Sequence, residues 1–336
     1  MTRAIAGVVA GVVITWLLLS STGSPSEAVT RIGSSLAGCD IVFVLVAFGL
    51  FALSQVLRAF RWRLLSFRNR VPFSLTMPVT SIHIGLGHLL PVRLSDVAFV
   101  GLFRKFGRIP VGDGTATVIL AKLQDVLAMG LVIGAAVISG VSGRIVLLAP
   151  LLVISGALGV LFLPRILTLC SGTIHRLFAG RGSRVLVWYD DLKDASCVRG
   201  RRGRFFAALL LSILAWTSKL LMFTFLLRAL GITGIPLWKV FFASGVTDLT
   251  MALPVHGLLS LGTVEAGWAA GFAIVGIEGI VGSGFSILEA GFSVHILWLS
   301  MAVALMIPAA PWLLLKGRGR NAHVGMDEQD GKHTLG

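Results

Sequence analysis

The 336-residue sequence predicts an all-α polytopic membrane protein, with six full transmembrane helices plus two re-entrant or short helical hairpins arranged as an inverted repeat. Three observations predict it: composition, the spacing of apolar runs, and the placement of basic residues. Hydrophobic residues make up 56% and charged residues 13%, with a mean hydropathy of +0.91. Soluble domains carry roughly 25% charged residues, so this chain lies well outside that class.

Apolar runs of about 18 or more residues are candidates to span a bilayer. They fall at about 4–22, 41–57, 114–138, 145–163, 205–230 and 285–315. The first run, MTRAIAGVVAGVVITWLLLSS, also resembles a signal peptide, because one arginine precedes the apolar stretch. The later spans favour an uncleaved first helix.

Basic residues orient the spans through the positive-inside rule. Arg58, Arg61, Arg63, Arg68 and Arg70 follow the second run, and Arg104, Lys105 and Arg108 precede the third. Nine Lys/Arg lie between Arg165 and Arg204, and Lys316, Arg318 and Arg320 follow the last run. These clusters are expected on the cytoplasmic side of the cell inner membrane, with both termini. Arg31, Arg144, Arg228 and Lys239 are all that the opposite loops carry. Trp16 and Trp238 suit the outer aromatic belt, and Trp62 and Trp312 the inner one.

Two mixed regions are apolar overall but broken by Pro, Gly and ionisable residues. Region 71–103 begins and ends beside cytoplasmic arginines, so it must cross an even number of times. It is too short for two comfortable spans of about 20 residues each. An inner hairpin bent near Pro91 satisfies both demands. Region 238–283, interrupted at Pro254, Gly257 and Gly262, is expected as an outer hairpin or two short spans. The domains that follow are a first membrane half at 1–140, a second at 141–316 containing the cytoplasmic segment 164–204, and a polar cytoplasmic tail at 317–336. Inverted repeats with broken helices are a transporter architecture, because half-helix ends can meet polar substrate groups at mid-membrane.

An unpaired charge at the centre of a membrane helix costs about 2.5–3.5 kcal/mol even on the lenient insertion scale. Arg93, Asp96, Lys122, Asp125, Asp248, Glu265 and Glu289 all lie in apolar contexts and need partners or a wet cavity. Lys122 and Asp125 are three residues apart, so they share a helical face and form either an internal pair or a phosphate contact held by its neighbour. Arg93, just after Pro91, is placed to grip a phosphate bidentately or to snorkel to headgroups. Lys219 is a further cavity candidate, with snorkelling as the alternative. His83, His88, His256 and His295 are candidates for proton relay with Asp96, Glu265 or Glu289, because imidazole titrates near neutral pH.

No HExxH pair occurs, and Cys39, Cys170 and Cys197 show no CxxC spacing, so no metal or cofactor is expected. The formal charge of +14 is spread between hydrophobic runs with no nucleic-acid module, which argues against a nucleic-acid partner. Anionic headgroups at the cytoplasmic clusters, including Arg199 to Arg204, are the expected partners. The glycine pairs Gly7/Gly11, Gly130/Gly134 and Gly267/Gly271 read as helix-packing faces.

The blocks LRAFRWRLL, LPVRLSD, FRKFGRIP, KLQDVLAM and PVHGLLSLGTVEAG, in that order, resemble the lysylphosphatidylglycerol synthase transmembrane region, a flippase-like membrane family. The resemblance covers residues 1–316. It matches Pro91, Arg93 and Asp96 to a proline–basic–acidic pattern in the first hairpin, and Glu265 after Gly262 to an acidic block in the second. The family's Glu-Arg-x-x-Asp block reads Ala121, Lys122 and Asp125 here. A frequent second arginine is Phe99, and a Gly-Glu step is Ser95–Asp96.

The resemblance implies a transporter moving a lipid or lipid-linked envelope precursor between leaflets, with Arg93, Asp96, Lys122, Asp125, Asp248 and Glu265 in binding or gating. The alternative is a membrane-embedded enzyme, or a subunit or scaffold of a lipid or glycolipid (for example hopanoid) biosynthesis complex. Some relatives carry an aminoacyltransferase domain, which this sequence lacks, so transport is favoured over an enzyme. Self-association and envelope-biosynthesis partners are compatible with either reading.

Overall fold

The structure is a computed structural model of the 336 residues. It describes all of them except 1, 67–70, 91–93, 141–147, 179–182, 197–201, 252–257, 282–284 and 334–336, and it also leaves out the side chains of 2–10, 139–140, most of 148–164, 183–184, 195–196, 202, 258, 280, 285 and 316–333.

Twelve helices make up the described residues, with one two-residue antiparallel pair, β1 (Ile280–Val281) and β2 (Phe285–Ser286). In chain order the helices are α1 (Thr2–Ser21), α2 (Pro25–Ala37), α3 (Ile41–Leu65), α4 (Phe73–Leu89), α5 (Leu94–Gly107) and α6 (Val111–Gly140). They continue with α7 (Leu148–Leu177), α8 (Ser183–Ser196), α9 (Arg202–Ala229), α10 (Leu237–Thr250), α11 (Thr263–Ile274) and α12 (Ile287–His333). Among the described residues, Ile41–Leu65, Val111–Ile138, Gly203–Ala229 and Ile287–Leu315 are long and apolar enough to cross a membrane. The protein is a multi-pass membrane protein. The run expected at 4–22 falls on α1, and the described part of the run expected at 145–163 falls on α7, which continues to Leu177.

Local sequence explains where the helices begin. Asp40 caps α3 by accepting the Val42 N–H at 2.8 Å. Prolines precede α4, α6 and α10 at positions 72, 110 and 236, where a missing N–H is harmless. The paired helices α4 and α5 have 17 and 14 residues, and α10 and α11 have 14 and 12. At about 1.5 Å per residue each is shorter than a hydrocarbon core of about 30 Å.

The helices pack in reciprocal pairs. The longest contact runs between α3 and α9, while α4 lies against α12 and α10 against α6. Short helices α2 and α8 lie against α12 and α6. One core spans α3, α6 and α9 to α12 around Phe51, Phe223, Trp268 and Trp298. A second gathers Trp62, Leu65, Phe99, Phe103 and Leu120, where α3 to α6 meet.

Two expectations are corrected at α3. The helix does not end with its apolar run at residue 57 but continues to Leu65, carrying Arg58 and Arg61 inside the bundle, 7% and 1% exposed. Trp62 does not face the inner aromatic belt. It is buried, with its ring 4.4 Å from that of Phe99, because the next turn of α3 packs on the α4–α5 hairpin. Trp16 and Trp312 do face outward.

The glycine-face expectation holds at α10–α11. A Cβ on Gly271 would lie 2.6 Å from the Ala243 carbonyl oxygen, and one on Gly267 would lie 2.5 Å from Thr250 Oγ1. Gly271→Ala is expected to destabilise the protein by about 1–3 kcal/mol, because backbone cannot yield as a side-chain tip does. Gly49→Ala, with open space around its Cβ, should leave thermal unfolding in mild detergent unchanged or slightly raised.

Candidate functional site

Between the two cores, α3, α4, α5, α6, α9, α10 and α12 enclose a cavity of about 280 Å³. Its ionisable lining is Arg58, His83, His88, Asp96, Lys122, Asp125, Lys219 and Asp248. Such a concentration is expensive in a membrane unless each charge meets an opposite one.

Asp125 on α6 gathers the largest cluster. It accepts from Arg61 Nη1 at 2.5 Å and Nη2 at 3.2 Å, from Arg58 Nη1 at 3.4 Å, and from Trp216 Nε1 at 2.8 Å. The two-pronged Arg61 contact uses the planar match of guanidinium and carboxylate, and Ser212 Oγ accepts a further Arg61 N–H at 3.1 Å. Lys219 on α9 meets Asp248 on α10 at 2.6 Å. Its ammonium also lies 4.4 Å from the ring centroid of Trp298 and 5.1 Å from that of Trp216. Aromatic faces stabilise a desolvated cation there.

The third cluster is the most open. Asp96, in the first turn of α5, is 2.8 Å from His83 Nε2 and 3.3 Å from Lys122 Nζ. The Lys122 side chain is 43% exposed, against 9% for Arg58, 1% for Arg61 and 11% for Lys219. Among the described residues of these clusters, four cations, Arg58, Arg61, Lys122 and Lys219, face three carboxylates, Asp96, Asp125 and Asp248. One positive charge is in excess, where Arg58 and Arg61 share Asp125, and Lys122 is the cation most open to the cavity. The arrangement can attract an anion.

Of the residues expected in binding, Asp96, Lys122, Asp125 and Asp248 line this one cavity; so do His83 and His88, expected as proton-relay candidates, and Lys219 joins them. The internal Lys122–Asp125 pair is replaced by pairs between helices, because Arg61 offers Asp125 a better-matched partner than a flexible lysine on its own helix. Arg93 and His256 lie outside the described residues. Glu265 and His295 are not in the cavity wall but form a pair behind it, Oε1 to Nδ1 at 2.6 Å. Glu289 stands apart from all of these, 2.7 Å from Arg31 Nε and accepting the Ser286 N–H at 2.7 Å.

The positive-inside rule alone accounts for Arg58 and Arg61 in the sequence, and no motif there marks Gln55, Trp216 or Trp298 as cavity residues. The i, i+3 spacing of Arg58 and Arg61 inside LRAFRWRLL, with apolar residues continuing to Leu65, was the available sign that both point inward. Among the described residues, no three of His, Cys, Asp or Glu converge closely enough to hold a metal ion.

A family model described as "Lysylphosphatidylglycerol synthase TM region" matches residues 4–304. The chain belongs to that family. The match contains every residue lining the cavity, from Phe51 to Trp298, so the lysylphosphatidylglycerol synthase TM region is the part of the chain that builds the site. No curated protein and no solved structure matches the chain.

Because Asp125 holds two buried guanidinium groups, Asp125→Asn in this family member is expected to cost about 3–5 kcal/mol by leaving them uncompensated. Asp190→Asn, removing an exposed carboxylate paired with Lys193 at 3.5 Å, should cost less than about 1 kcal/mol. Thermal unfolding in detergent, followed by tryptophan fluorescence, compares the two.

Proposed function

We propose that the protein is a flippase-like transporter that moves a lipid or lipid-linked envelope precursor with an anionic, phosphate-type headgroup across the cytoplasmic membrane. The headgroup occupies the cavity, where Lys122 contacts it and Asp96 holds Lys122 in place. The acyl or prenyl tails remain in the surrounding lipid. The observation that carries this reading is the cavity itself: three cations and three carboxylates, with Arg61 beside Asp125 as a fourth cation, gather in a space among four helices that are long and apolar enough to span the bilayer.

The chain order supports the transporter architecture. A long helix, a short helix, a long helix, a hairpin and a long helix run from α1 to α6, and the same series runs from α7 to α12. Each hairpin packs on the last helix of the opposite series, α4 on α12 and α10 on α6. In this reading the two series are inverted repeats, with six full crossings. The four hairpin arms enter the membrane without crossing it, in keeping with their length. Both termini and the basic groups Arg104, Arg108 and Arg204 then lie on the cytoplasmic side.

Transport is preferred to chemistry because the cavity carboxylates are each held by a cation from another helix. General acid–base work needs a carboxyl group free to exchange protons with a substrate. We assign no chemical step to the site.

Protein reconstituted in liposomes with a fluorescent-tailed phosphatidylglycerol tests the reading. Wild-type protein is expected to expose inner-leaflet probe to a membrane-impermeant quencher well above the protein-free rate. Lys122→Ala should slow this by about tenfold, the loss of one charge-assisted contact of roughly 1.4 kcal/mol. An unchanged rate in Lys122→Ala, or a wild-type rate equal to that of empty vesicles, would overturn it.

A further inference from the structure

Behind the cavity stands a second polar group that headgroup binding does not use. Glu265, in the first turn of α11, is completely buried, and its partner His295 on α12 is 2% exposed. One carboxylate oxygen faces His295 Nδ1 at 2.6 Å, and the other accepts the Gly262 N–H at 2.7 Å. The helix N-terminus and that backbone donor are what sustain a carboxylate here.

His295 Nε2 is buried without a hydrogen-bond partner among the described residues, and so is His88 Nδ1. The two rings lie 6.2 Å apart, centroid to centroid. A single water between the rings would join these two unpartnered nitrogens. His88 also lines the cavity, so a line of titratable groups leads from the cavity to Glu265. The other charged groups facing this line are Lys219 on α9 and Asp248 on α10, which neutralise each other at 2.6 Å. Glu289, earlier on α12, is turned to Arg31.

We infer that His88, His295 and Glu265 form a proton-binding site that couples proton entry from the cavity to the position of the outer hairpin. The resting pair is a Glu265 carboxylate accepting from Nδ1–H of a neutral His295. A proton from cavity water adds to one nitrogen of the His88 ring, and the ring releases its other N–H proton to His295 Nε2. His295 then gives its Nδ1 proton to Glu265 Oε1. The balance is one proton taken from the cavity and one neutral carboxyl formed, with both imidazoles again uncharged and His295 left as the Nε2–H tautomer.

The proton arrives beside a strained turn. Leu259, Ser260 and Gly262 have φ of 59°, 58° and 84°, a left-handed stretch that is unfavourable for the first two. Glu265 ties that stretch to the start of α11 through Gly262 N–H, and Gly262 is pressed so closely on α1 that a Cβ would lie 2.9 Å from the Gly11 carbonyl oxygen. Protonation removes the charge from this tie. Oε2 still accepts the Gly262 N–H, but as a neutral oxygen it holds the strained turn less firmly, and the seating of α11 on α1 loosens with it.

Coupling rests on the transport reading above, whereas proton binding does not, and the experiment separates them. Infrared difference spectra of purified wild-type protein between pH 8 and pH 5 should show a protonated-carboxyl C=O band that is missing in Glu265→Gln and altered in His295→Gln. In the same liposomes used for phosphatidylglycerol exchange, a one-unit pH gradient should raise the wild-type rate severalfold, up to the tenfold limit of about one proton. Glu265→Gln should lose that increment. Absence of a Glu265-dependent band overturns the proton site. A band accompanied by gradient-independent exchange overturns the coupling. A band in a protein that exchanges no lipid upholds the proton site and removes the transport reading instead.

Discussion

The structure depends on cancelling charge inside a hydrocarbon medium. Arg58, Arg61, Lys122 and Lys219 cannot stay ionised among apolar helices unless carboxylates meet them, and every such meeting joins two different helices. Asp125 ties α6 to α3, Asp248 ties α10 to α9, and Asp96 ties α5 to α6. In lipid, apolar contact alone distinguishes weakly between one helix packing and another, since tails are as apolar as leucine. The ion pairs therefore do what a hydrophobic core does in water: they select one arrangement of neighbours.

These ties are graded by enclosure. Asp125 and Arg61 lie deep, with several donors converging on one carboxylate. Lys122 and Asp96 face the open part of the cavity. A rigid pair and an adaptable one thus sit on the same stretch of α6, one turn apart. Fixing the backbone through the first leaves the second able to change partners without unsettling the bundle.

Much of the fold was legible because the bilayer imposes length and polarity on the chain. Four apolar runs match the helices long enough to span, and the two mixed regions contain the short helix pairs α4–α5 and α10–α11. The site was legible as a set of residues that could not stay unpaired, and Asp96, Lys122, Asp125 and Asp248 do share one cavity. Partner choice was not legible. Periodicity reports that Lys122 and Asp125 share a face of one helix, but not that Arg61, 64 residues earlier, reaches Asp125 first. Arg58 and Arg61 were obscured for a related reason: the positive-inside rule counts arginines near a span end, and the helix runs two turns beyond its apolar stretch.

The seam between α10 and α11 has a mechanical consequence. With Gly271 and Gly267 set against the Ala243 backbone and Thr250, the arms have no slack in which to slip past each other. Gly245 meets Ile133 of α6 just as tightly on the opposite side of α10. The two arms are thus wedged together and against α6, and Asp248 sits at the end of α10 nearest the strained turn, so the tightest part of the seam lies beside a cavity carboxylate.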